Sequence, residues 1–252
     1  MKLLSAYTKR TAVSLSLWLA LTGITAIAVF GMTRQKPFDV ISAFDVMLDL
    51  SSYRKLIMLF AMLPFGTVYC REFNTGLSVS ISTRKPVNKQ LRAYIIMQFF
   101  SALLVTLTAL FISLAIMRIR LPLYYDVGNV RSGAFDSLVS GGKPAAYLFL
   151  RCLHYSVSIA AWSMSGLMMS AVFLDSYLAV ISPLVFSYGL EFLTIQSGVF
   201  PDLWHLSLSY TDFSQSAAAS SAYICGVFIL IAVLFSGVFY FLARRRMSGE
   251  IR

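Results

Sequence analysis

Four stretches of this chain run on without a charged side chain: 23 residues between Arg10 and Arg34, 25 from Ala93 to Met117, 23 from Cys152 to Leu174 and 31 from Phe213 to Ala243. A helix needs about 20 predominantly apolar residues to cross the hydrocarbon core of a bilayer, and no soluble core of this size calls for four such runs. Within hydrocarbon every backbone N–H and C=O must be satisfied inside the chain, which a single segment can do only as a helix. The composition agrees, with 58% hydrophobic and 13% charged residues, against about a quarter charged in a soluble domain. The fold class expected is all-α, a polytopic membrane protein.

Two further apolar segments raise the count. Six transmembrane helices are expected at about 11–32, 55–70, 93–117, 146–173, 177–197 and 222–243, forming one domain over 1–252. The second is short, and Pro64 before Gly66 marks a kink; its Arg54 and Lys55 read as side chains that snorkel to the interface. Residues 33–54 carry Asp39, Asp45 and Asp49, with Ile41, Phe44 and Leu48 on one helical face. They read either as an outer extension of the second span or as an interfacial helix. Residues 1–10 suggest a small amphipathic helix on the membrane surface. The first apolar run exceeds the 7–15 residues of a signal-peptide core and is expected to remain as an anchor.

Charge sets the orientation. With both termini in the cytoplasm, 12 of the 21 Lys and Arg residues fall in the short inner segments: Lys2, Lys9 and Arg10; Arg71, Arg84, Lys85, Lys89 and Arg92; and Arg244, Arg245, Arg246 and Arg252. The other nine are spread over outer segments of nearly twice the length, so the positive-inside rule favours this arrangement. The net charge of +10 is thereby accounted for by topology and lipid headgroups, without nucleic acid.

Few chemistries are readable. Gly141-Gly142-Lys143 lacks the spacing and the Ser/Thr of a phosphate-binding loop. His154 and His205 are the only histidines, too few for a three-histidine metal site. Cys70, Cys152 and Cys225 are scattered through apolar runs with neither zinc nor disulfide spacing. Ser163, Ser165, Gly166 and Ser170 read as small residues that let helices approach, rather than as a serine nucleophile. No catalytic, cofactor-binding or metal-binding residue is therefore assigned. Ionisable residues inside spans are the stronger signal. Arg151 and Glu191 each lie about six residues from the outer end of their span, roughly 9 Å deep. They read either as an ion pair between spans four and five or as two side chains that snorkel separately.

The one long basic segment, Arg71–Arg92, holds five basic residues against Glu72 alone. Aromatic and small residues close span two; then come Glu72, Gly76 four residues later, serines alternating with aliphatics through Leu77 and Ile81, a Thr83-Arg84-Lys85-Pro86 turn, and Lys89 before the apolar run from Ala93. This pattern resembles the membrane subunits of type 2 ABC exporters. The resemblance covers a motif of about twenty residues together with the plan of the whole chain. It implies a permease subunit that forms the pathway for an amphipathic or peptide-like substrate, as in family members that protect against bacteriocins. A separate cytoplasmic ABC ATPase would bind the ATP, with no cofactor on this chain, and a second permease subunit, identical or related, would complete the exporter. It further implies a bacterial cytoplasmic membrane location. Residues 71–92 would include a coupling helix seated on the ATPase, with Glu72, Phe73, Gly76, Leu77, Ile81, Arg84, Lys85, Pro86 and Lys89 at the contact. Residues 198–221 would be a re-entrant hairpin capping the outer end. Leu77, Val79 and Ile81 alternate as a strand would, whereas Phe73, Leu77 and Ile81 share a helical face; the helix is the expectation. A non-transporting membrane scaffold that recruits a soluble partner through the same basic loop is the other reading.

Overall fold

The computed structural model describes residues 7, 14–34, 37–76, 86–125, 135–211, 213, 214 and 216–248. These residues form ten helices and no strand: α1 Leu15–Thr33, α2 Val40–Asp49, α3 Ser51–Met62, α4 Val68–Asn74, α5 Val87–Arg120, α6 Asp136–Ser140, α7 Pro144–Phe173, α8 Ser176–Ser197, α9 Leu203–Ser207 and α10 Ala217–Met247. Five of them (α1, α5, α7, α8 and α10) are long and apolar enough to cross a membrane. The protein is thus a multi-pass, membrane-embedded helical bundle. The surface helix expected over residues 1–10 lies, apart from Tyr7, outside the described residues.

Helix ends follow local chemistry. The Ser14 hydroxyl accepts from the Leu17 N–H to start α1, Asp39 and Ser42 form a reciprocal capping box on α2, and Asp175 accepts from the Tyr177 and Leu178 N–H groups to start α8. Gly198, at φ +62°, closes α8 in the left-handed conformation that glycine adopts without a Cβ penalty. Arg244, Arg245 and Arg246 occupy the last turn of α10, where cations complement the helix dipole.

The segment expected as span two is the irregular one. Its helix breaks after Met62, where Pro64 has no N–H to continue the ladder, and resumes at Val68; the Gly66 N–H turns back to the Met62 carbonyl at 2.8 Å. Neither α3 nor α4 alone is long enough to cross. Within 33–54, Val40–Asp49 form the separate short helix α2, whose Ile41, Phe44 and Leu48 are all buried, while Ser51 onwards already belongs to α3.

α7 is the axis of the bundle. Most of its apolar stretch is buried, whereas the other four long helices bury less than half of theirs. It packs most extensively against α10, α5 and α8, while α1 lies against α5 and α3 on the far side. Small residues make this possible. Ala160, Ala161, Ser163, Ser165, Gly166 and Ala171 are all buried on α7, and the hydroxyls of Ser163, Ser165 and Ser170 donate to carbonyls three residues back. With those three hydroxyls satisfied inside their own helix, the small side chains let the neighbouring helices come close. A Cβ built on Gly166 would meet the Ala179 carbonyl oxygen of α8 at 2.6 Å and the Met62 methyl as well. Bulky residues such as Leu15, Trp18, Leu19 and Phe30 on α1 point outward, where lipid rather than water receives them.

The connections gather at two ends. At the first, the Asn74 amide donates to the Leu174 carbonyl and Arg246 to the Val172 carbonyl, bringing together α4, the α7–α8 turn and the end of α10. At the second, the Val40 N–H donates to the Pro122 carbonyl, the Tyr125 N–H to Asp39 and the Tyr147 hydroxyl to Asp45.

Candidate functional site

Among the described residues, three clusters of buried ionisable groups lie inside this bundle, each built where an irregular piece of chain meets a long helix. The first centres on Glu191. Ser187 and Glu191 are four residues apart on α8 and so share a face; Arg54 and Lys55 enter that face from the first turn of α3. Glu191 Oε2 lies 2.7 Å from Lys55 Nζ and 3.2 Å from Arg54 Nη2. Lys55 Nζ also donates to Ser187 Oγ at 2.8 Å, and Arg54 Nη1 to Ser207 Oγ of α9 at 2.8 Å. The Arg54 guanidinium lies 3.7 Å from the centre of the Trp204 ring, and the Tyr155 hydroxyl of α7 donates to the Arg54 carbonyl. All three charged residues are at most 3% exposed. Arg54 and Lys55, expected to snorkel outward, are instead turned into the protein. They can stay there because one carboxylate, two hydroxyls and an aromatic face replace their water.

The second cluster centres on Arg151 of α7. Its Nη2 lies 2.8 Å from Asp45 Oδ1 of α2, and the Tyr147 hydroxyl reaches both Asp45 oxygens at 3.2 Å. The Tyr210 ring covers the guanidinium at 5.1 Å, and the Tyr210 hydroxyl donates to Asp49. Tyr210 lies in the connection between α9 and α10. His154 Nδ1 meets Ser209 Oγ at 2.9 Å. Arg151 Nε and Nη1 and His154 Nε2 have no hydrogen-bond partner among the described residues.

The expected ion pair between Arg151 and Glu191 does not form. Both residues are buried towards the same end of the bundle, but Arg151 pairs with Asp45, and Glu191 with Arg54 and Lys55. Depth along a helix fixes one coordinate and leaves the direction around it open. Separate snorkelling fails as well, since Arg151 is 1% and Glu191 2% exposed. Reversing charge at Arg151 or at Asp45 alone is expected to lower thermal stability in detergent, and the double reversal to recover part of the loss, with a coupling of about 0.5–3 kcal/mol. A reversal of Arg151 combined with reversal of Glu191 is expected to add the two losses.

The third cluster anchors the basic segment. Glu72, on α4, is 1% exposed, and its Oε2 accepts from the Tyr94 hydroxyl of α5 at 2.5 Å and from the Tyr7 hydroxyl at 2.9 Å. Gln90 donates to the Tyr94 oxygen at 3.0 Å. Tyr69 packs edge-on against Tyr94 and against Phe239 of α10. Cys70 lies against the Ser170 carbonyl of α7. Glu72 was expected at a contact surface; it faces inward, because α4 turns its buried face of Val68, Tyr69, Cys70 and Glu72 towards the bundle. Phe73 is half-buried, while Gly76, Pro86 and Lys89 are exposed. Leu77, Ile81, Arg84 and Lys85 lie outside the described residues, and so does the choice between helix and strand there.

Cys70, Cys152 and Cys225 are free thiols. The Ser165 hydroxyl donates to the Trp162 carbonyl, while His154 is held by Ser209. Among the described residues, no three His, Cys, Asp or Glu side chains gather as metal ligands.

No family model, no curated protein and no solved structure matches this chain.

Proposed function

We propose that this chain is the permease subunit of an ATP-binding-cassette exporter, driven by a separate cytoplasmic ATPase that docks on the basic segment 71–92. The observation that carries the reading is the Glu72 anchor. The segment leaves the bundle from α4 and re-enters it at α5, and Glu72 and Tyr94 tie those two points to each other. Tyr69 and Cys70 tie α4 to α10 and α7 in turn. A partner that pushes on the segment would therefore move three long helices, as coupling to transport demands. A loop that served only to recruit a partner would need no such attachment.

In this reading α3 and α4 together make a sixth, broken crossing, and the end carrying the basic segment and both chain termini faces the cytoplasm of a bacterial cell. The described residues of 198–221, with the short α9 inserted over Arg54 and the last of them already in α10, cap the outer end as a re-entrant element. Breaks inside a membrane are tolerated where protein, rather than lipid, surrounds them, and Leu206 and Leu208 are buried accordingly. The substrate is amphipathic or peptide-like, and a second permease subunit completes the pathway.

Hydrolysis separates this reading from a membrane scaffold. Reconstituted with its partner ATPase in liposomes, the chain is expected to raise ATP hydrolysis several-fold, and Arg84→Glu or Lys89→Glu to return it to the rate of the ATPase alone. A scaffold would hold the ATPase without changing its rate.

A further inference from the structure

The geometry points to a binding site for one anionic phospholipid in the groove between α5 and α10, its acyl chain in the groove and its phosphate held by Arg92 and Arg244. This rests only on the chain lying in a bilayer and stands apart from the exporter reading. The groove holds about 290 Å³ and is lined by Ile95, Ile96, Phe99 and Phe100 on α5 and by Ile229, Ala232, Val233 and Ser236 on α10. Its walls are almost wholly apolar. Seven residues of rise along α10 make it about 10 Å long, two-thirds of a leaflet whose hydrocarbon is about 15 Å deep.

What distinguishes this groove from ordinary lipid-facing surface is its mouth. On α5, Arg92 lies three, four and seven residues before Ile95, Ile96 and Phe99, so it continues the same face towards the first end of the bundle. On α10, Ala232, Ser236, Tyr240 and Arg244 follow one another at four-residue steps along a single stripe. The helices pack antiparallel, so both stripes run to the same end of the bundle, with Arg92 close to the level of Tyr240 and Arg244 one turn, about 6 Å, beyond it. Arg92 and Arg244 are exposed, and neither has an acidic partner among the described residues. Two unpaired guanidiniums at headgroup depth above one chain-sized furrow match a lipid that carries both a phosphate and a net negative charge. A zwitterionic lipid offers the same chain but brings its own cation to the mouth.

The test is native mass spectrometry of the delipidated protein equilibrated with equal amounts of dioleoyl phosphatidylglycerol and dioleoyl phosphatidylcholine. One phosphatidylglycerol retained per chain is expected, several-fold above phosphatidylcholine. The Arg92→Gln, Arg244→Gln double variant should bring the two lipids to parity. Val233→Trp, an exposed position whose new ring fills the furrow, should lower phosphatidylglycerol retention with both arginines intact, while Leu104→Trp on another part of α5 should leave it unchanged. Helix content by circular dichroism confirms that each variant is folded. Parity in the unaltered protein, or a preference that survives both the double variant and Val233→Trp, would overturn the site. So would a dimer that loses no lipid and is broken by Val233→Trp, because a second copy would then occupy the groove.

Discussion

Replacing Glu191 with leucine is expected to be the most damaging single change in this protein. The carboxylate is shared by two buried cations, Arg54 and Lys55, at 3.2 and 2.7 Å. Its loss would leave two positive charges inside a bundle that is itself surrounded by hydrocarbon. Removing one partner of a buried pair costs about 3–5 kcal/mol in soluble proteins, because the remaining charge is uncompensated. Here two are stranded, so the upper end of that range is expected. At 2–4 °C per kcal/mol for a chain of this size, the unfolding midpoint in a mild detergent should fall by roughly 10–20 °C. Glu191→Gln should fall by less, since its amide oxygen still accepts from Lys55 and Arg54. The decisive companion is the triple change Arg54→Met, Lys55→Met, Glu191→Leu. A buried ion network replaced by apolar groups of similar volume is often neutral or better, so most of the midpoint should return. A triple variant as unstable as Glu191→Leu would mean that the carboxylate acts through something other than these two cations.

The second large effect is expected at Gly166. Here α7 packs directly on α8 and α3, so that a Cβ would press on the Ala179 carbonyl oxygen at 2.6 Å and on the Met62 methyl. Two opposing magnitudes decide the sign. Alanine gains about 1 kcal/mol over glycine in helix propensity, and overpacking costs about 1–3 kcal/mol. Gly166→Ala should therefore be slightly destabilising. Gly166→Leu, with three further carbons and a backbone oxygen that cannot swing aside, should cost more than the upper end of that range and force α7 and α8 apart. Gly226 and Gly237 on α10 have no atom within 4 Å of a built Cβ, so alanine there should be neutral or stabilising by up to about 1 kcal/mol. Midpoints measured side by side separate a packing effect from a generic response to glycine removal.

The contrast between these sites shows what the sequence could carry. Spans were legible because lipid demands long uncharged helical runs, and the expected limits 146–173 and 177–197 lie within two residues of α7 and α8. The break at Pro64 and the close approach at Gly166 were legible for the same local reason: each is a property of the residue itself. The helices α5 and α10 run several residues beyond the expected 93–117 and 222–243, because polar residues such as Asn88, Arg244 and Arg246 continue a helix outside hydrocarbon as readily as they end an apolar run. Pairing was the part that could not be read. Arg151 and Glu191 were matched by depth alone, whereas their partners came from α2, a segment too short to count as a span, and from Arg54 and Lys55, read as snorkelling ends of span two. One signal was available: Ser187 and Glu191 at four-residue spacing offer a polar face inside span five, and the adjacent Arg54 and Lys55 were two cations at the outer end of the neighbouring span two. Glu72 was misplaced for a related reason. Its neighbours Arg71 and Asn74 are exposed, and only the helical phase of α4 reveals that it turns inward.

The measurement that bears most directly on the account is affinity purification of the protein from its native membrane in gentle detergent, followed by identification of the co-purified chains. A soluble ATPase with a phosphate-binding loop is expected, retained by the unaltered protein and lost with Arg84→Glu or Lys89→Glu, while the Gly226→Ala variant keeps it. Recovery of the protein with no ATPase, or with one that binds equally well after both charge reversals, would contradict it.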